Sequence, residues 1–203
     1  MKIRFLSTLI ICVSLIFSSC GKESKKIKDE LSNTKEVIKN ASKVADESEN
    51  MQEKMTGLQK KTPLSKAQFE KWLPKTVIDL PLTSSTVNTI VGMGSCSGSY
   101  RIGNKRIRVM VIDGAGKIGS DAVGSYMFSS TMEYNEDNDS RYTKTKVIDG
   151  IKVKETYHKS NGDYNVSTFY GNRFAVDIET KEVNYDEVEQ IIKTLNLSEL
   201  LDF

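Results

Sequence analysis

The reactive side chains of this chain are few and scattered. Its three cysteines are Cys12, Cys20 and Cys96, and its one histidine is His158. A thiol nucleophile wants a positioned base, and Cys96 has no histidine in its part of the chain. It reads instead as a small buried core residue. One histidine cannot build the usual zinc site, so His158, beside Lys159 at a strand end, reads as an exposed polar residue. Asn135, Asp137 and Asp139 have the spacing of the first three ligands of a calcium loop. Ser140 stands where that loop needs glycine and Lys146 where it needs glutamate. The run Glu133 to Asp139 therefore reads as a solvated acidic loop. Gly114-Ala115-Gly116-Lys117-Ile118-Gly119 has the glycine spacing that can cradle a phosphate between a strand and a helix. A dinucleotide site also needs a parallel crossover to a second apolar strand ending in an acid. The acidic run downstream is too polar for that, and the glycines read as a flexible strand-to-helix turn. No catalytic residue, cofactor site or metal-ligand set emerges from these patterns.

Cys20 is different because of what precedes it. Lys2 and Arg4 form a short positive start, Phe5 to Phe17 is a thirteen-residue run broken only by Ser and Thr, and Ser18-Ser19-Cys20 follows. Thirteen helical residues rise about 20 Å, too short for a bilayer core of roughly 30 Å. The segment is a signal h-region rather than a spanning helix. Phe17-Ser18-Ser19-Cys20 resembles the lipobox of bacterial lipoproteins, with Phe17 in the place of the usual Leu. The resemblance implies a diacylglyceryl group on the Cys20 thiol, cleavage between Ser19 and Cys20, and acylation of the new amino terminus. Two or more chains hold a protein stably at a membrane, where one does not. Gly21 lacks the Asp that, by the same resemblance, retains such proteins in the inner membrane. The expected place is the cell envelope, at the outer membrane. The partner this implies is a membrane, held through lipid on Cys20.

Removal of residues 1–19 leaves about 184 residues, one ordinary domain plus an appendage. A net charge of +2 gives no case for nucleic acid. With Cys12 removed and Cys20 lipidated, Cys96 has no intramolecular disulfide partner, so stability rests on a packed core. Residues 20–61 form the anchor and a stalk rich in Lys, Glu, Asp, Ser and Asn. Ile27, Leu31, Thr34, Ile38, Ala41, Ala45 and Ser48 recur at heptad spacing, and Met51, Met55 and Leu58 continue one residue out of register. The pattern predicts a long helix, about 50 Å from Ser24 to Leu58. Its shallow seam suits a spacer with at most weak self-association.

The globular part spans residues 62–203. Ser65 and Gln68 form a capping box, and Leu64 and Phe69 a hydrophobic staple, for a short helix that ends before Pro74. Pro74 to Thr86 reads as irregular. Strands are expected at Ser95 to Ile102 and Lys105 to Ile112, with Arg106 and Arg108 on a wet face. A helix is expected at Ser120 to Met132. Four more strands, Thr143 to Ile148, Ile151 to His158, Asp163 to Tyr170 and Arg173 to Glu179, are joined by two-residue turn pairs. Asn184 and Glu187 box a last helix, stapled by Val183 and Val188. The fold expected is α+β: an antiparallel sheet of about six strands with helices packed on it, preceded by the long N-terminal helix.

The element order from Thr89 to Leu201 resembles the PsbP-like sandwich, a sheet with helices on its faces. The resemblance carries no functional residues. Two function classes follow. One is a non-catalytic envelope lipoprotein that binds a protein or glycan partner. The other is an extracytoplasmic enzyme with a site assembled from Tyr157, His158 and the Glu133 to Asp139 acids.

Overall fold

A computed structural model describes residues 49–88 and 90–203. The expected signal peptide, the expected Ser19–Cys20 cleavage and lipidation site, and the expected stalk up to residue 48 lie outside the described residues. Residues 49–59 are helical (α1), and Asn50–Phe203 forms one compact unit. Met51, Met55 and Leu58 are the positions where the heptad spacing slips, and they face the domain. Leu58 is buried against Val123, Met127 and Ala175, with Met51 and Met55 packed alongside. The slip in register thus begins at residues that pack on the domain. The last turns of the predicted stalk belong to the domain, ahead of Thr62.

Helix α2 (Lys66–Trp72) starts as its capping residues dictate. The Ser65 hydroxyl accepts from the Gln68 N–H, and Gln68 Oε1 accepts from the Ser65 N–H at 2.8 Å. Leu64, Phe69 and Trp72 are buried. The strands are β1 (Thr76–Val77), β2 (Leu80–Val87), β3 (Ser95–Ile102), β4 (Lys105–Asp113), β5 (Asn135–Asp137), β6 (Arg141–Ile148), β7 (Ile151–His158), β8 (Asp163–Tyr170) and β9 (Phe174–Lys181). Helix α3 (Gly116–Thr131) separates β4 from β5, and α4 (Tyr185–Thr194) with a 3₁₀ turn (Leu197–Leu201) closes the chain.

All pairings are antiparallel, in the order β1-β2-β3-β4-β9-β8-β7-β6-β5. The chain leaves β4 through α3, crosses to the far edge, and meanders back until β9 pairs with β4. The α+β class and the β6–β9 meander follow the expectation, but the sheet has nine strands rather than about six. The extra strands are β1, β2 and β5. Pro74 and Pro81 hide the first two. Pro81 precedes the first β2–β3 pair, Leu82↔Tyr100, so its missing N–H removes no bond from that ladder, which shifts register between Leu82 and Ser84. β5 is hidden by polarity. It is a three-residue edge strand with every side chain exposed, so the acidic run is strand in part rather than loop.

Alternation divides the sheet into two faces. On one, Ile107, Val109, Val111, Val176 and Ile178 pack with Phe69, Val188, Ile191 and Leu195 in the main core. On the other, α1 and α3 cover only part of the surface, through Leu58, Val123, Met127 and Ala175. The end of β4 is tied to the start of β9 by Asp113, which is 0% exposed. Its carboxylate accepts from Arg173 Nε and Nη2, each at 2.7 Å, from the Leu64 N–H at 2.8 Å and from the Ala115 N–H at 2.9 Å.

Candidate functional site

The sequence-predicted chemistry disperses in three dimensions. Tyr157 and His158 are neighbours on β7, so they point to opposite faces. Tyr157 stacks on Tyr142 at 5.1 Å between ring centroids. His158 is half-buried rather than exposed, on the opposite face across from Arg141 and Asp163. Glu133 pairs with Lys152 and Asp137 with Lys159. Asn138 turns its side-chain oxygen inward to accept from the Ser140 and Arg141 N–H groups. This is a strand and a turn, not a calcium loop. Among the described residues no group of three metal-ligating side chains comes together. Cys96 is buried as expected, and burial pushes its thiol up to about 12. At neutral pH it is an unreactive thiol.

Two clusters were not read from the sequence. The first surrounds Glu155, which is 0% exposed. Its Oε1 accepts from Lys146 Nζ at 2.7 Å and from the Tyr142 hydroxyl at 3.3 Å. Lys146 lies 4.0 Å from the centre of the Tyr185 ring. Tyr142, Tyr157, Tyr164 and Tyr185 follow one another in ring contact. Burial, and then the Glu155 charge, pushes the Tyr142 hydroxyl above its ordinary range. Burial also raises Tyr164 and Tyr185. These hydroxyls stay protonated and serve as donors, not bases. The cluster extends the core, with Glu155 Oε1 doubly bonded and the buried Oε2 left without a hydrogen-bond partner among the described residues.

The second cluster is the part of the other face that none of the described helices covers. Along β3, Ser95, Ser97 and Ser99 share this face, and register sets Ser97 opposite Thr86 and Ser99 opposite Ser84. On β4, Met110 lies opposite Ser97 and Arg108 opposite Ser99. Thr86, Ser95, Ser97, Arg108, Met110 and Ile112 floor an open groove of about 320 Å³, and the loop residues Ile90 and Met93 form its wall. A smaller hollow, about 90 Å³, adjoins it between Arg108, Met110, Asp177 and Glu179. Burial pushes the Asp177 carboxyl above its ordinary value, partly countered by the Tyr126 hydroxyl that donates to it. Arg108 and Glu179 are 3.8 Å apart and about half exposed, a pair that solvent screens.

Comparison with protein-family models, with curated proteins and with solved structures finds no match to this chain. The functional reading therefore rests on the site. Hydroxyls and a guanidinium alternate there with the apolar side chains of Met110 and Ile112. Such a surface can hydrogen-bond the hydroxyls of a sugar and pack against its apolar C–H groups. Its one signal in the sequence is the alternation Ser95, Ser97, Ser99 against Arg106, Arg108, Met110, which places these residues on a wet face without revealing what they meet.

Proposed function

We propose that this chain is a lipid-anchored protein of the bacterial cell envelope that binds a glycan without transforming it, through the open face of β2, β3 and β4. Anchoring rests on the Ser18-Ser19-Cys20 signature after a short apolar run, and Gly21 favours the outer membrane. Glycan binding rests on one observation: a groove-bearing sheet face, left open by the described helices and lined by hydroxyls, Arg108 and small apolar patches. Ligand sites combine apolar lining with a few placed polar groups in this way.

Two measurements test the two halves. Cys20→Ser is expected to abolish labelling by a fatty-acid analogue and to release the protein from membranes. A variant that stays labelled and membrane-bound defeats the anchoring reading. Ser97→Trp fills the groove from its floor. It is expected to lower retention on immobilised envelope glycan at least ten-fold while leaving the melting temperature within a few degrees. Unchanged retention defeats the assignment of this face.

A further inference from the structure

The register of β3, β4 and β9 sets three cations side by side on the open face. Arg101 lies directly opposite Arg106, and Arg106 directly opposite Lys181. Neighbouring strands are about 5 Å apart, and all three side chains are exposed. Like charges directly opposite each other destabilise a sheet unless something balances them. The hairpin's other cations are balanced: Lys105 pairs with Glu187 and Arg108 with Glu179. Among the described residues, Arg101, Arg106 and Lys181 form no ion pair. Arg101 Nε donates to the Gly103 carbonyl at 2.7 Å, which ties it to the hairpin turn. Glu179, two residues from Lys181 and diagonal to Arg106 on this face, is turned to Arg108, and Asp163 lies opposite His158. The β8–β9 ladder stops at Asn165↔Glu179, short of Asp163 and Lys181.

This row continues the groove face. Arg101 is two residues from Ser99 and Arg106 two from Arg108, so all four share one side of the sheet. A local conflict retained in a fold is expected where it serves a function. We propose that the row Arg101, Arg106 and Lys181 reads charge: the glycan bound by this face is an anionic polysaccharide. Its acidic groups lie on the row, and its hydroxyls on Ser97, Ser99 and Thr86. The proposal rests on the glycan-binding reading and narrows it to a substrate class. β4 runs from Lys105 to Asp113, about 26 Å at the strand rise, with the cation row at its Lys105 end and the serine-lined groove farther along the same face, an extended track that suits a polymer.

The test is calorimetric titration of the full lipidated chain in neutral detergent, with short dextran sulfate, uncharged dextran and dihexanoyl phosphatidylglycerol as probes. Dextran sulfate is expected to bind the native chain, and Arg106→Thr to weaken it at least ten-fold. Lys193→Thr, which removes an exposed cation on α4, is expected to change nothing. Without ligand at low salt, Arg106→Thr is expected to melt no lower than the native chain, because it removes a like-charge contact. Equal losses from Arg106→Thr and Lys193→Thr, or none from either, overturn the row as the reader of charge. Uncharged dextran binding as tightly as dextran sulfate, with both blocked by Ser97→Trp, also overturns it and leaves the glycan reading standing. Binding of the phosphatidylglycerol probe alone, lost in Arg106→Thr, overturns the proposal in favour of a lipid surface. Failure of all three probes overturns it outright.

Discussion

Asp113→Ala is expected to cost about 3–5 kcal/mol of stability, lowering the melting temperature by roughly 10 °C in a domain of this size. The carboxylate is 0% exposed and the Arg173 side chain 13% exposed, so the pair is shielded from solvent. Removing one partner leaves the other charge buried and unpaired, which is the costly way to break such a pair. More than the pair is lost. The Leu64 N–H, at the entrance to α2, and the Ala115 N–H, at the entrance to α3, both lose their acceptor. Arg173 Nη2 also donates to the Thr62 carbonyl at 3.1 Å, so its displacement frees the chain just before α2. One side chain thus joins the start of the domain, the end of β4 and the start of β9. Thermal melting checks the global cost, and faster hydrogen exchange at Leu64 and Ala115 checks the local mechanism. A loss below about 1 kcal/mol, the range of an exposed ion pair, would show that Asp113 is not the latch described. In a double-mutant cycle with Arg173→Met, the combined loss is expected to be well below the sum of the single losses, because each single variant strands the same partner.

This latch was not legible in the sequence, and the reason is general to the molecule. What could be read depended on residues close together in the chain. Ser65 with Gln68, and Asn184 with Glu187, placed two helix starts to the residue, because a capping box is local chemistry. Asp149-Gly150 placed a hairpin, because both residues adopt the positive φ that a tight turn demands. Asp113 and Arg173 are sixty positions apart and meet only because β9 inserts beside β4. The cation row needs the same insertion to bring Lys181 beside Arg106. The separation of Tyr157 from His158 was readable, since adjacent strand residues must face opposite ways. The enzyme alternative drew on both side chains without that constraint. The membership of Leu58 in the domain was visible only as a slip in heptad spacing, a signal that names no partner.

Gly119→Ala is expected to destabilise by about 1–3 kcal/mol or more through overpacking, while Gly124→Ala in the same helix is expected to stabilise by about 0.5–1 kcal/mol. A Cβ at Gly119 would sit 2.4 Å from the Asp113 carbonyl oxygen and 3.1 Å from the Gly114 carbonyl carbon. Both are backbone atoms, and the backbone there is held by the Asp113 latch, so neither can yield cheaply. Around Gly124 nothing lies within 4 Å, and alanine removes only the entropic cost of glycine in a helix. The contrast tests what the glycine spacing is for. Gly114 would set a Cβ 2.7 Å from the Arg173 carbonyl oxygen, and Gly116 has φ +77. The three glycines are thus matched by close packing and by one left-handed turn, and they form a tight joint rather than the flexible turn read from the sequence. Thermal melting of the two alanine variants checks this. If Gly119→Ala melts with the native chain, the joint has room, and the glycines need another explanation. If it melts far below while Gly124→Ala melts above, the glycine pattern is fully explained by the contact between the end of β4 and the first turn of α3, and needs no phosphate to account for it.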